Sequence, residues 1–183
     1  MPSILIVPIR PVDHATLTAL TGSMSETFRL PTHIEEQQYI DPSFAFDTYR
    51  NQYNSTSLLA KILETFPDYD GKIIGVTSID LFVPVLTYVF GEAQLDGTGA
   101  VVSSFRLSES LYGLDQNSQL EHERLVKETI HELGHTFGLI HCHNPECVMH
   151  TSTSVEEIDI KSEKLCADCA QIIGHDFSLQ PRP

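Results

Sequence analysis

Residues 131–141 read His-Glu-Leu-Gly-His-Thr-Phe-Gly-Leu-Ile-His, which puts three imidazoles and a carboxylate into one short stretch. On a helix, positions four apart lie about 40° from each other around the axis, so His131 and His135 face the same way. Two imidazoles at that spacing can hold one tetrahedral zinc ion. Gly138 can leave the right-handed region without steric cost, which ends the helix and turns the chain back. His141 then arrives from the side as a third ligand. Three neutral imidazoles leave the fourth zinc position open for water, the pattern of a catalytic site.

Glu132, next to His131, projects about 100° further round the helix. Its carboxylate can reach the water on the metal without being a ligand. There it would accept the proton as the water attacks a carbonyl, then deliver it to the leaving amine, while zinc polarises the carbonyl. The predicted chemistry is hydrolysis of an amide, above all a peptide bond. A bare HExxH arises by chance in helix-forming sequences, but the added glycine and third histidine at fixed offsets make chance a poor account. Glu128, one turn before Glu132, could support the site by hydrogen bonding from behind it, but a solvated helix charge is the better reading.

The four cysteines, Cys142, Cys147, Cys166 and Cys169, all fall in the last quarter of the chain, directly after the histidines. A disulfide framework would spread its cysteines to staple distant loops, so metal is the better reading. A thioredoxin-like pair at Cys166 and Cys169 would need a preceding strand. Residues 162–165, Ser-Glu-Lys-Leu, are no strand, and two further cysteines would be left unexplained.

The histidine pattern, Cys142 directly after it, then Cys147, Met149 and Cys166-Ala-Asp-Cys169, resemble the archaemetzincin family of the metzincin clan of zinc peptidases. The specific match covers about residues 127–169, and residues 80–93 also look familial. The resemblance implies a catalytic zinc on His131, His135 and His141, with Glu132 as base. It also implies a second, structural zinc on the four cysteines, and Met149 as the methionine of a Met-turn beneath the histidines. Four thiolates close the coordination of zinc, so that site would be structural and would fix the polar loop between Cys147 and Cys166. Since Cys142 adjoins His141, it would also anchor the third catalytic ligand. Some members of the family lack histidine at the third position; this sequence keeps it.

The elements that must position these groups follow from periodicity. Residues 4–9 predict a buried strand, and 11–28 a helix with Pro11 early and Leu17, Leu20 and Met24 at helical spacing. Residues 30–40 include a second strand. A helix capped by Asn54 or Ser55 buries Leu58, Leu59, Ile62 and Leu63, and residues 71–77 form a third strand. Residues 86–94 and 99–107 predict a hairpin just upstream of the metal helix. Its edge either pairs with a peptide substrate or is internal sheet. A loop over 108–116 leads to the active-site helix, about residues 119–137, in which Val126, Ile130, Leu133 and Phe137 form the buried stripe. The chain after His141 reads as irregular and polar, with a short helix within 162–173. The expected architecture is α/β (α+β): a metzincin-like mixed, twisted sheet with a backing helix and the active-site helix. One domain over 1–183 would comprise a sheet-and-helix part, 1–137, and a zinc-stapled part, 138–183.

Composition bounds the partners. At 183 residues, with 41% hydrophobic and 20% charged side chains, the chain can bury one sizeable core. A formal net charge of −14 argues against nucleic acid and anionic membrane surfaces. No run is long and apolar enough to span a bilayer, and the short apolar start lacks a basic leader. A cytoplasmic monomer acting on a peptide or protein is therefore expected. Two other readings compete: a non-catalytic, zinc-stabilised binding module, which has no need of Glu132, and a zinc hydrolase of non-peptide amides. Tyr112 could stabilise an oxyanion, but packing is the better account of it. His143 and His150 lie near the site but outside its pattern.

Overall fold

The computed structural model of the chain describes residues 2–178. Its first strand, β1 (Ser3–Pro8), is an unbroken apolar run because both faces are covered. Ile4 and Ile6 look to one side of the sheet and Leu5 and Val7 to the other, and all four are buried. Helix α1 (His14–Phe28) begins after Asp13, whose carboxylate accepts the Thr16 N–H at 2.8 Å. Pro11 therefore does not open this helix; it follows a cis Arg10–Pro11 bond, and the side-chain cap at Asp13 sets the start. Gly22 and Ser23 do not interrupt it, because Leu20, Met24 and Phe28 continue the buried stripe across them.

The next strand, β2 (Thr32–Ile34), lies within residues 30–40, where one was expected. Two small strands, β3 (Phe46–Asp47) and β4 (Gln52–Asn54), lead into α2 (Ser55–Thr65). Asn54 is the cap, accepting the Ser57 N–H at 2.8 Å. There follow β5 (Gly71–Thr77), β6 (Leu81–Phe82), β7 (Gly91–Ala93) and β8 (Gly99–Ser103). Two 3-10 turns, Phe105–Leu107 and Glu109–Tyr112, precede the long helix α3 (Ser118–Thr136). Beyond it lie α4 (Val155–Ile160), in a region expected to be irregular, and α5 (Ala167–Ser178).

The main sheet is mixed, in the order β2-β1-β5-β8-β7, with only β7 antiparallel to its neighbour. β3, β4 and β6 form a separate small sheet. Ile74, Val76, Ala100 and Val102 pack with residues of α1 and α3, whereas Ile73 and Val101 pack with α2. The sheet is thus covered by helices on both faces, and its mixed edge strand β7 lies beside α3.

The expected strand over 86–94 shrinks to β7. Arg50 Nη2 captures the carbonyls of Leu86, at 2.5 Å, and Thr87, and Gln52 Nε2 also takes Thr87 O at 3.0 Å. With those acceptors engaged by side chains, residues 84–87 turn and bend, and Val89 makes only an isolated antiparallel bridge to Leu81. No helix among the described residues is long and apolar enough to cross a membrane.

Candidate active site

Asn117 opens α3 by accepting the Leu120 N–H at 3.1 Å. Val126, Ile130 and Leu133 fix its roll by burial, and Phe137 stacks on Phe28 of α1 with ring centroids 4.8 Å apart. The helix ends in a Schellman closure. The Gly138 N–H reaches His135 O at 3.0 Å and the Leu139 N–H reaches Gly134 O at 3.1 Å, with Gly138 at φ 84°. Lys72 Nζ adds a donor to Thr136 O at 2.6 Å, a cation at the negative end of the helix.

That turn also orients an imidazole. It brings Leu139 O within 2.7 Å of His135 Nδ1, and the turn through Val148 and Met149 brings Val148 O within 2.9 Å of His131 Nδ1. A carbonyl only accepts, so each Nδ1 carries the hydrogen and each Nε2 a lone pair. The two Nε2 atoms are 3.1 Å apart, and neither can donate to the other. A cation between them relieves that opposition. His141 completes the set: the ligand atoms of all three imidazoles lie within 4.8 Å of one another. Zn–N bonds of about 2.0–2.1 Å in a tetrahedron put ligand nitrogens about 3.3 Å apart, so the three histidines fit zinc. Burial lowers the pKa of His131 well below the usual value, and of His135 and His141 less far. All three are held in the neutral form that can ligate.

Glu132 lies in the same cleft, a space of about 370 Å³ that His131, His141 and residues 86–91 also line. Burial raises its pKa well above the ordinary glutamate value, and the nearby Glu128 adds to the rise. Gly91 of β7 covers it at close range. A Cβ at Gly91 would lie 2.6 Å from both Glu132 Cγ and Val101 O, so only glycine lets the strand sit there. Gly91→Ala is therefore expected to displace β7 or Glu132 and to lower kcat/KM by about 10²-fold with zinc content unchanged. Steady-state kinetics with metal analysis checks this; an unchanged kcat/KM would detach β7 from the site.

Among the described residues β7 is an edge strand of the main sheet. Ser103 N–H bonds Phe90 O at 2.9 Å and Gln94 N–H bonds Gly99 O at 3.0 Å. By antiparallel alternation Glu92 then faces β8, while Gly91 and Ala93 turn their N–H and C=O groups to the free side. Glu92 fastens the strand from behind, accepting hydrogen bonds from Ser55 and Thr56 of α2.

The expectation of a solvated Glu128 is wrong. It is 3% exposed, and its Oε1 takes a hydrogen bond from Lys161 Nζ at 2.7 Å. Lys161 is itself buried, because α4 packs against α3 and returns the chain beneath the helix; a carboxylate there needs that partner. Tyr112 donates to Arg106 O at 2.9 Å and does not line the cleft. His150 Nδ1 lies 2.8 Å from Cys142 O, which ties it to the turn after the third histidine, and His143 has no such placement.

All four cysteines are free thiols, and their sulfurs lie within 4.8 Å of one another. Cys142 and Cys166 sulfurs are 3.7 Å apart, and Cys147 and Cys169 sulfurs 3.8 Å. Both distances far exceed a disulfide's ~2.05 Å and match the ~3.8 Å edge of a tetrahedron with Zn–S bonds of about 2.3 Å. A hydrogen bond from the Cys169 N–H, the largest influence, lowers the Cys166 thiol to about 7, while burial raises Cys147 and Cys169. Met149 is fully buried, and a Cβ at Gly134 would run into its Sδ, so glycine in the histidine motif is what admits the methionine beneath the helix. Sequence reasoning missed Lys161 and the carbonyls of Leu139 and Val148. No residue type marks a backbone acceptor, and a lone lysine after a polar stretch looks like surface.

Comparison with known proteins bears on the same site. A sequence profile for Peptidase family M54 matches residues 26–175. The archaemetzincin of Methanocaldococcus jannaschii is 38% identical over 167 residues, which are 91% of this chain and 89% of that one. Among solved structures, the archaemetzincin of Methanopyrus kandleri aligns with a TM-score of 0.83 at 33% identity, over 97% of this chain and 96% of that one. A zinc-dependent peptidase of Methanocorpusculum labreanum also aligns at 0.83, with 29% identity, over 93% of this chain and all of the other.

Proposed function

The chain belongs to peptidase family M54 and is a zinc metallopeptidase, and we propose that it hydrolyses peptide bonds with Glu132 as general base at a zinc held by His131, His135 and His141. The observation that carries this reading is the pair of facing Nε2 lone pairs beside a buried carboxylate in one cleft. When bound, zinc supplies a Lewis acid that acidifies water and polarises a carbonyl. Glu132 takes the proton that the attacking water gives up and passes it to the departing amine. Its burial raises its proton affinity, which makes it the stronger base. Val148 O and Leu139 O keep two imidazoles from turning, so their Nε2 atoms stay aimed at one point. The free edge of β7 can pair with an extended peptide through Gly91 and Ala93, which lays its backbone past Glu132.

In this reading Cys142, Cys147, Cys166 and Cys169 hold a second, structural zinc, and residues 138 onward work with 1–137 as one unit. Free thiols in a zinc site suit a reducing compartment such as the cytoplasm. The acidic balance of the chain suits a peptide partner better than nucleic acid.

Cleavage of a peptide library by the wild-type protein tests the activity; no cleavage of any peptide would overturn the reading. Metal analysis is expected to find two zinc ions per chain, one of them readily removed by a chelator. The pH dependence of that labile zinc follows from the histidines. A lowered histidine pKa keeps the neutral form present below the ordinary value, and it is lost only as pH falls through the lowered value. The labile zinc is thus expected to survive dialysis at pH 6, where roughly three-quarters of free imidazole is protonated. Its loss between pH 7.5 and 6 would contradict this.

A further inference from the structure

Two turns stand beside the outer end of the cleft, and polar side chains lock one to the other. The first is the tip of the β3–β4 hairpin, in which Asp47 pairs with Gln52 and Tyr49 is fully exposed. Asp47 Oδ1 sets that tip by accepting the Tyr49 and Arg50 N–H groups at 2.9 and 3.0 Å. The second turn is closed by the Leu86 N–H on Val83 O at 3.1 Å, which leaves Val85 88% exposed and Leu86 more than half exposed. Arg50 clasps the two. Its Nη2 donates to Leu86 O and Thr87 O, its Nε donates to Gln52 Oε1 at 3.1 Å, and its guanidinium lies over the Phe82 ring. Gln52, itself buried, donates from Nε2 to Thr87 O and to Asp80 Oδ2. Neither Tyr49 nor Val85 belongs to a buried cluster among the described residues.

A lone exposed apolar side chain needs no explanation. Here three are presented on turns that a hydrogen-bond network holds in place, so little ordering is left for a ligand to impose. Leu86 also lines the cleft, which makes Val85 and Tyr49 its continuation. The direction of a bound peptide follows from β7. Gly91 and Ala93 each offer N–H and C=O, and antiparallel pairing, the more stable kind, joins both groups to one opposing residue. β7 runs away from residues 86–90, so an antiparallel peptide runs towards them, and its C-terminal side leaves the cleft past Leu86. The chain from Leu86 to Gly91 spans at most about 17 Å, so about five extended residues cover it. What they meet there is apolar. Arg50 is committed to two carbonyls and to the Phe82 ring, so it offers no free cation to an acidic group. We propose that Tyr49, Val85 and Leu86 form a docking surface for the C-terminal side of the substrate, taking a large apolar or aromatic side chain within about five residues after the scissile bond. The assignment rests on the peptidase reading above and narrows its substrates to peptides that extend well past the cut.

The test uses zinc-loaded Glu132→Gln protein, which keeps the shape of the site and holds peptides without turnover. Short peptides, and versions lengthened at the C-terminus or at the N-terminus with Phe or Ser at each added position in turn, are titrated by calorimetry. Phe at one position of the C-terminal extension is expected to bind about tenfold more tightly than Ser, the effect of partly burying an aromatic side chain. Adding Tyr49→Ser with Val85→Ser should cut that gain to about twofold or less, and both positions are exposed, so the variant folds. Equal binding of Phe and Ser at every added position would overturn the docking surface. So would a gain confined to N-terminal extensions, a gain that survives in the double variant, or no binding of any peptide. Sedimentation of the free wild-type protein covers the other occupant: a dimer that the double variant cannot form would give the surface to a second copy and overturn the proposal. Wild-type cleavage separates the two claims. Cleavage with no gain from Phe removes the docking surface alone, and a Phe gain in binding with no wild-type cleavage removes the peptidase reading alone.

Discussion

Glu132→Ala is expected to lower kcat for peptide hydrolysis by about 10²–10⁴-fold while leaving the zinc content of the protein unchanged. The two halves of that result come from different features. Metal retention follows because the imidazoles are aimed by Val148 O and Leu139 O, neither of which involves Glu132. Loss of turnover follows because Glu132 is a buried carboxylate of raised proton affinity beside the histidines. Among the described residues the only other acid lining the cleft, Glu128, is tied to Lys161 and lies a turn away, so it is a poor substitute. The variant should also fold, since truncation relieves the crowding beneath Gly91 instead of adding to it. Steady-state kinetics beside metal analysis reads both halves; undiminished cleavage would remove the general-base role, and loss of zinc would make Glu132 a ligand or its support.

How much of this was legible beforehand depended on the range of each interaction. His131, His135, Gly138 and His141 act within three turns of chain, and the Schellman closure at Gly138 is the local event their spacing implies. The helix stripe of Val126, Ile130 and Leu133 was equally local, and so was β5, whose apolar run is bounded by turn residues. The sheet order was not readable, because parallel pairing joins residues such as Ser3 and Gly71 through contacts that no short pattern encodes. The extent of β7 failed for a different reason. Residues 86–90 have the composition of a strand, but Arg50 and Gln52, distant in sequence, take the carbonyls of Leu86 and Thr87. Glu128 was misread because its exposure is set by Lys161, 33 residues further on. A helix charge and its buried partner carry no mutual signal in a single sequence.

The same long-range dependence explains why the cysteine cluster should matter to the histidines. If the four cysteines hold the proposed second zinc, Cys169→Ser is expected to release it and, with it, to weaken zinc at the histidines by about 10–100-fold, the loss typical when the groups orienting a ligand are disturbed. The route is short and physical. Cys147 precedes Val148, whose carbonyl orients His131 and whose N–H bonds Lys164 O at 3.0 Å. Cys142 follows His141 directly, and its N–H bonds Met149 O at 2.9 Å, so one thiolate cluster grips both sides of the segment beneath α3. Without metal, Cys147 and Cys169 revert to buried thiols, and the loop between Cys147 and Cys166 loses its crosslink. Chelator competition on wild-type and Cys169→Ser protein measures the effect directly, because it reads zinc affinity instead of activity. A variant with one zinc fewer and an unaltered affinity at the histidines would show that the two centres are independent. A joint loss would make the four thiolates part of what holds the catalytic ligands in place.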